Sequence, residues 1–422
     1  MFRKISLFFF MSLPLCLNAT WSTAANLSTV GFDSSNVAVA LSSNGSALAS
    51  WSEFVNGGTI YASAYQTGNW DNVFALSSLP ASLSCAAINA SGNGVVVWVE
   101  WGDYAIVKAC LFSSSTGWGS VEQLSIETGN ANNPKVSMND AGTIIVVWEQ
   151  DDGQPNTSNL FIQGIVNSGS WGSVTQISSM NVSKSPEIKL SHAGNALVLW
   201  NSFDSVNNIH VIRSAEYTGT WSSPIQISVE GEDSFNAKIS MNTLGEGMAT
   251  WAANNGSAFV VHAKSFSTVW NSTTETLSDP SVNSGTPQVS LNDAGNCIIA
   301  WNQSLGSQVI INAAEYSSGL WSAPEMISTS GINATQPVQL NLNNNGHAVA
   351  IWTESDNTVS YTQFGGFSFS SGVWGNFQSL SDPQGYAINP VVDFNDTDNA
   401  LALWQQLNGA TFTIQDSLGS GL

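Results

Sequence analysis

Short apolar runs separated by turn-forming residues recur along the whole chain, and no helical period runs between them. Residues 287–328 show the unit. An apolar run at 287–291 meets Asn292-Asp293-Ala294-Gly295, where Asn and Asp open a tight turn and Gly takes its left-handed position. A second run at 297–301 ends on Trp301, and a third spans 308–316. Ser317-Ser318-Gly319 turns the chain again, and a fourth run at 321–328 begins with Trp321. Four short strands per unit, joined by tight turns, predict antiparallel sheets. Segments such as Ile144-Ile145-Val146-Val147-Trp148 are apolar on both faces, which suits buried strands and not the alternating pattern of a transmembrane barrel.

The unit repeats. A tryptophan closes the second strand at Trp51, Trp98, Trp148, Trp200, Trp251, Trp301, Trp352 and Trp404, at spacings of 47 to 52 residues. Six residues before each stands a glycine, replaced in the last copy by Asp398, a residue type that tolerates the left-handed region. A second series opens the fourth strand at Trp70, Trp118, Trp171, Trp221, Trp270, Trp321 and Trp374. A sustained period near 50 implies a solenoid, a propeller or an array. The eighth copy runs out after its third strand, and Trp21 precedes Trp51 by the 30 residues that separate Trp118 from Trp148. The expected fold is therefore all-β: an eight-bladed propeller of four-stranded antiparallel blades. Residues 21–30 should supply the last blade's missing outer strand and close the ring. The repeat tryptophans are expected as wedges between blades, leaving Trp101 outside the pattern.

The third-to-fourth-strand turns, Ser317-Ser318-Gly319-Leu320-Trp321 and Tyr217-Thr218-Gly219-Thr220-Trp221, resemble the Ser-x-Asp-x-Gly-x-Thr-Trp hairpin of sialidase-like, Asp-box propellers. They keep the Gly and Trp, lack the Asp, and are one residue shorter. The resemblance spans residues 21 to about 416 and implies a fold, not an activity. A sialidase holds its substrate carboxylate with three arginines, whereas Arg3 and Arg213 are the only ones here.

Composition narrows the function. The chain carries 9 basic and 30 acidic residues among 422, a formal charge of −21. A polyanion needs Lys and Arg to neutralise it, so nucleic acid and anionic membrane surfaces are excluded as partners. The start of the chain, with Arg3 and Lys4 before a short apolar stretch and Ala19 at its end, reads as a signal peptide of residues 1–19. The expectation is an exported protein, secreted, periplasmic or on the cell surface. Residues 20–422 would form a single propeller domain with no transmembrane span after cleavage, a monomer. Leu15 before Cys16 is bulky for lipidation. Cys85, Cys110 and Cys297 lie in apolar runs and read as buried thiols, with Cys85 and Cys110 on strands that are not neighbours.

No phosphate-binding loop, His-Glu-x-x-His or Cys-x-x-Cys occurs, and no cofactor is expected. Asp151-Asp152-Gly153 and Asn395-Asp396-Thr397-Asp398-Asn399 are oxygen-rich turns of the kind that hold calcium, although Asn and Asp are also ordinary turn residues. Two positions past each first-series tryptophan stand Glu53, Glu100, Gln150, Ser202, Ala253, Gln303, Glu354 and Gln406, with Glu149 beside Gln150. All open the loop from second to third strand, so they are expected as a polar ring on one face; the alternative is that they merely end a buried strand. Trp101 lies on the same loop, in Glu100-Trp101-Gly102-Asp103-Tyr104. An exposed aromatic beside carboxylates is suited to stacking on a sugar ring, unless it tucks under its own loop. The candidate ligand-binding residues are therefore Trp101, Glu100, Asp103, Tyr104, Glu53, Glu149 and Glu354, with no catalytic residue assigned. The expected function is a binding or scaffold module for a glycan or a protein surface. The alternative is a glycoside hydrolase using carboxylates on that face.

Overall fold

The computed structural model describes residues 20–421, apart from 56, 155–158, 180–181, 356–359, 369, 376 and 383–384. The signal peptide expected at residues 1–19 lies outside the described residues. The chain forms eight antiparallel blades, and among the described residues no helix is long and apolar enough to cross a membrane. The first strands are Ser34–Leu41, Ala81–Ile88, Ala131–Met138, Ser183–Leu190, Asp233–Met241, Ser284–Leu291, the pair Asn333–Ala334 and Gln339–Leu342, and Ala387–Phe394. Each packs against the next, and the eighth returns to the first, so they surround a central axis. Second, third and fourth strands follow outward in chain order.

The N-terminal segment closes the ring. In blade 8 the third strand, Thr411–Ser420, pairs on its outer side with Thr20–Trp21 and Ala25–Asn26. Ser22 N donates to Leu418 O at 2.8 Å and Leu27 N to Ile414 O at 2.8 Å. Hydroxyls reinforce the clasp: Ile414 N donates to Ser28 Oγ at 2.7 Å and Ser417 Oγ to Ser22 O at 2.8 Å.

The second strand runs on past its tryptophan, to Leu305 in blade 6, and strand boundaries depart from the sequence reading in two further places. In blade 6 the first strand starts at Ser284, three residues before the expected 287, because a bulge slips the register between Gly285 and Gln288 and takes Pro287 into the strand. A proline cannot donate to a ladder, and a bulge is where a strand leaves a residue unpaired. The bulge recurs in blades 1 to 6 and 8, with one left-handed residue in each: Asn36, Leu83, Asn133, Ser185, Asn236, Thr286 and Asn389. The fourth strand is the second departure. Instead of one run over 321–328, blade 6 has Leu320–Trp321 and Glu325–Met326, parted by Pro324.

The first tryptophan series is fully buried between blades. The second is half-buried near the outer wall, where Trp70, Trp118, Trp221, Trp270 and Trp321 lean on Tyr65, Phe112, Tyr217, Phe266 and Tyr316 at 5.0–5.3 Å between ring centres. It too reaches across seams, for Trp374 Nε1 of blade 7 donates to Glu315 of blade 6 at 3.1 Å.

A belt of asparagines binds the opposite end of the ring, at the turns between first and second strands. Asn343 Oδ1 accepts from Asn345 N and His347 N, which fixes its own turn, while Asn343 Nδ2 donates to Asn395 O at 3.0 Å in the next blade. Asn242, Asn292 and Asn395 repeat the link, the last to Ser42 O across the chain ends.

Candidate functional site

The residues two past each tryptophan are buried, except the half-buried Gln303, and do not form an open rim. They close the second strand from within. Glu53 Oε1 accepts from Trp51 Nε1 at 3.0 Å and from Thr29 N at 2.9 Å. Glu354 Oε1 accepts from Trp352 Nε1 at 2.9 Å and Thr329 N at 2.7 Å. Gln150, Gln303 and Gln406 cap their tryptophans in the same way. Ser202 and Ala253 lack the reach, and Glu100 is drawn to Lys108, so the indole N–H groups of Trp200, Trp251 and Trp98 have no partner. Glu149, one residue past Trp148, is buried and accepts from Asn133 Nδ2 and Ser185 N, both at 2.7 Å, tying the bulges of blades 3 and 4. The physical reason for the displaced rim is simple: a buried indole N–H needs an acceptor, and these side chains supply it.

The Trp101 hairpin stays at the surface. Trp101 ends the strand Gly94–Trp101 and is 45% exposed, its Nε1 donating to Ser82 Oγ at 3.2 Å. Asp103 and Tyr104 are exposed beside it. Glu100, Asp103 and Tyr104 line one cleft of about 210 Å³ with Lys108, Gln123 and Glu127. Trp101 alternates to the other side of its strand and does not line that cleft. The candidates thus divide: Trp101, Asp103 and Tyr104 are accessible, Glu100 is the buried floor, and Glu53, Glu149 and Glu354 are internal.

The first-strand bulges build a second feature that the sequence reading missed. A cavity of about 340 Å³ on the axis is lined by bulge residues of blades 3 to 6, including Asn133, Lys135, Ser185, Glu187, Asn236 and Lys238, and by Pro337 and Gln339 of blade 7. Glu187 pairs with Lys238 at one side and with Lys135 at 3.8 Å on the other. Burial works to raise the Glu187 carboxyl, but Lys135, Lys238 and Lys189 outweigh it and hold it below the usual range. Glu187 in turn holds Lys135 protonated well above its ordinary value. Lys189, two residues beyond Glu187, also acts on Asp393 of blade 8, on the far side of the ring. Three of the seven basic residues beyond position 19 therefore converge on the axis.

A groove opens from this mouth onto the same face. It has a volume of about 430 Å³ and runs over blades 5 and 6 between Phe235, Phe259 and Val309, with Asn236, Asn283, Thr286 and Gln303 among its polar walls. Asn236 and Thr286 line both cavities. Phe259 is 40% exposed and heads an aromatic row: ring centres are 6.4 Å apart from Phe259 to Phe235, 4.9 Å from Phe235 to His210 and 5.2 Å from His210 to Phe203. The signal was present in the sequence as Phe203, Phe235 and Phe259 near strand ends, but each sits in a different part of the repeat.

The oxygen-rich turns are spent on backbone. Asp151 Oδ1 accepts from Asn130 N at 2.8 Å and Gly153 N at 2.9 Å, and Asp396 Oδ1 from Asn344 N at 2.8 Å. Among the described residues no group of three potential ligands is arranged to hold a metal ion. Cys85, Cys110 and Cys297 are unbridged, and burial pushes the Cys110 thiol up to about 11.

No known family model and no curated protein matches this chain. Solved structures do. An ulvan lyase, a polysaccharide lyase, is 11% identical with a TM-score of 0.50, over 77% of this chain and 92% of that one. A leech intramolecular trans-sialidase is 9% identical, TM-score 0.43, over 94% and 93% of the two chains. A Hadza microbial sialidase is 10% identical, TM-score 0.42, over 86% and 73%. At these identities the likeness is one of fold alone, the β-propeller.

Proposed function

We propose that this protein is an exported glycan-binding module that works from the face carrying the second-to-third-strand loops. The observation that carries the reading is the exposed Trp101 at the end of its strand, on the hairpin that also presents Asp103 and Tyr104 on its other side. An aromatic face stacks on the C–H surface of a sugar while neighbouring oxygens take its hydroxyls. The names of the solved neighbours, a polysaccharide lyase and two sialidases, agree with a saccharide ligand. Binding is favoured over hydrolysis because Glu53, Glu100, Glu149 and Glu354 are buried and already engaged. A glycosidase needs two carboxylates open to the scissile bond.

The test is a glycan array with residues 20–422, followed by titration of the best ligand against Trp101→Ala. The expected result is weaker binding, by about tenfold for one lost stacking contact, at an unchanged melting temperature. Turnover of the bound glycan that is lost with Asp103→Asn would support the hydrolase instead.

A further inference from the structure

We propose that the axial mouth and the groove over blades 5 and 6 form one site for a short acidic oligosaccharide. Its sugar rings lie on Phe235 and Phe259, and its carboxylate or sulfate meets Lys135 and Lys238. The inference rests on the glycan-binding reading and adds the substrate class and a site separate from Trp101.

Charge placement is the first support. In a chain of formal charge −21, three of the seven cations beyond position 19 stand on the axis. Structural ion pairing alone requires one partner for Glu187, yet Lys135 and Lys238 approach it from blades 3 and 5 with Lys189 close by. The mouth thus brings two lysines onto one carboxylate, with Lys189 close by. An incoming anion can take the lysine donors that Glu187 leaves open, since each ammonium carries three. Shape is the second support. The groove joins the mouth through Asn236 and Thr286, so one ligand can touch both. Its walls pair the exposed Phe259 and the half-buried Phe235 with amides and hydroxyls, the mixture that suits a sugar and not a lipid chain. Its volume of about 430 Å³ is within the range of small-ligand sites. A long polyanion remains excluded, because beyond the mouth it would run over a strongly acidic protein.

The experiment is calorimetric titration of residues 20–422 with two pairs of probes: a short oligogalacturonate against its methyl ester, and a short sulfated galactan against its unsulfated form. At least one anionic probe should bind about tenfold or more tighter than its neutral counterpart, the worth of one charge-assisted contact. Lys135→Met and Lys238→Met, made singly so that Glu187 keeps one partner, should each erase that preference. Phe259→Leu should weaken both members of the pair. Equal binding of the members of both pairs, or a preference kept in both lysine variants of unchanged melting temperature, would overturn the proposal. If neutral glycans still bind through Trp101, the broader reading survives; if no glycan on the array binds, both fail.

Discussion

The Trp70 indole of blade 1 donates to Asp416 Oδ2 of blade 8 at 3.0 Å, across the seam where the two ends of the chain meet. Asp393, on the first strand of blade 8, spans the same seam by accepting from Leu41 N at 2.7 Å. Burial raises both carboxyls above their ordinary value of 3.8. A raised carboxyl favours the fold when protonated. Its contribution is complete below 3.8 and is lost as pH rises through the raised folded value. The seam should therefore tighten on mild acidification. Asp416→Asn keeps an acceptor for Trp70 and removes the titration, so melting temperatures measured from pH 7.5 down to 4 should rise less steeply than those of the parent. Parallel curves would contradict the assignment.

The repeat contains its own control for the tryptophan caps. Gln150 does in blade 3 what Glu53 does in blade 1. Glu53→Gln should be near neutral, whereas Glu53→Leu orphans Trp51 Nε1 and Thr29 N and should cost about 2–4 kcal/mol in denaturant unfolding. Similar losses for both would mean that charge, not acceptance, is what the position requires.

The asparagine belt makes a sharper demand. Asn343→Asp preserves the acceptor that fixes its turn but deletes the donor to Asn395 O and sets a carboxylate beside Asp398. Asn343→Ser matches what blades 1 and 4 carry at Ser42 and Ser191. The Asp variant should lose more stability than the Ser variant, by about 1–3 kcal/mol near neutral pH, because both lose the interblade donor and only the Asp variant adds a like-charge contact with Asp398. Equal losses would show that the carboxylate set against Asp398 costs nothing.

Removing residues 20–28 deletes the outer strand of blade 8 and bares the ladder of Thr411–Ser420. Trp21 is half-buried, so its apolar area supplies about 1–2 kcal/mol; lost ladder bonds add to this. Light scattering should show a concentration-dependent rise in mass for a chain beginning at residue 29, with a lowered melting temperature. A monomer of unchanged melting temperature would mean that the clasp is dispensable.

The architecture was legible because it is periodic. A tryptophan that must be buried at the same depth in every blade returns at the same place in the sequence, and the arithmetic of Trp21 gave the closure. The bulges were not legible. Leu83, Ser185 and Thr286 share a backbone conformation with Asn36 but no side-chain chemistry. The site suffered from the same rule in reverse. Glu53 and Glu354 recur because they serve the repeat, whereas Lys135, Glu187, Lys238 and Phe259 break it and meet only when the blades close into a ring. Trp101 was found because it broke the count of an obvious series.

The outer wall of the ring has a consequence for how copies meet. Blade 6 ends in two-residue pieces, and blades 3, 4 and 5 carry named fourth strands of only two residues. Such fragments offer a passing chain too few consecutive backbone groups to splice onto. Blade 2 differs: its fourth strand, Gly117–Gln123, runs seven residues with one register shift between Trp118 and Val121, and Val121 is 42% exposed. Crowded molecules should therefore adhere in one orientation, blade 2 to blade 2, as an isologous pair that uses up its own sticky edge and cannot grow into a fibre.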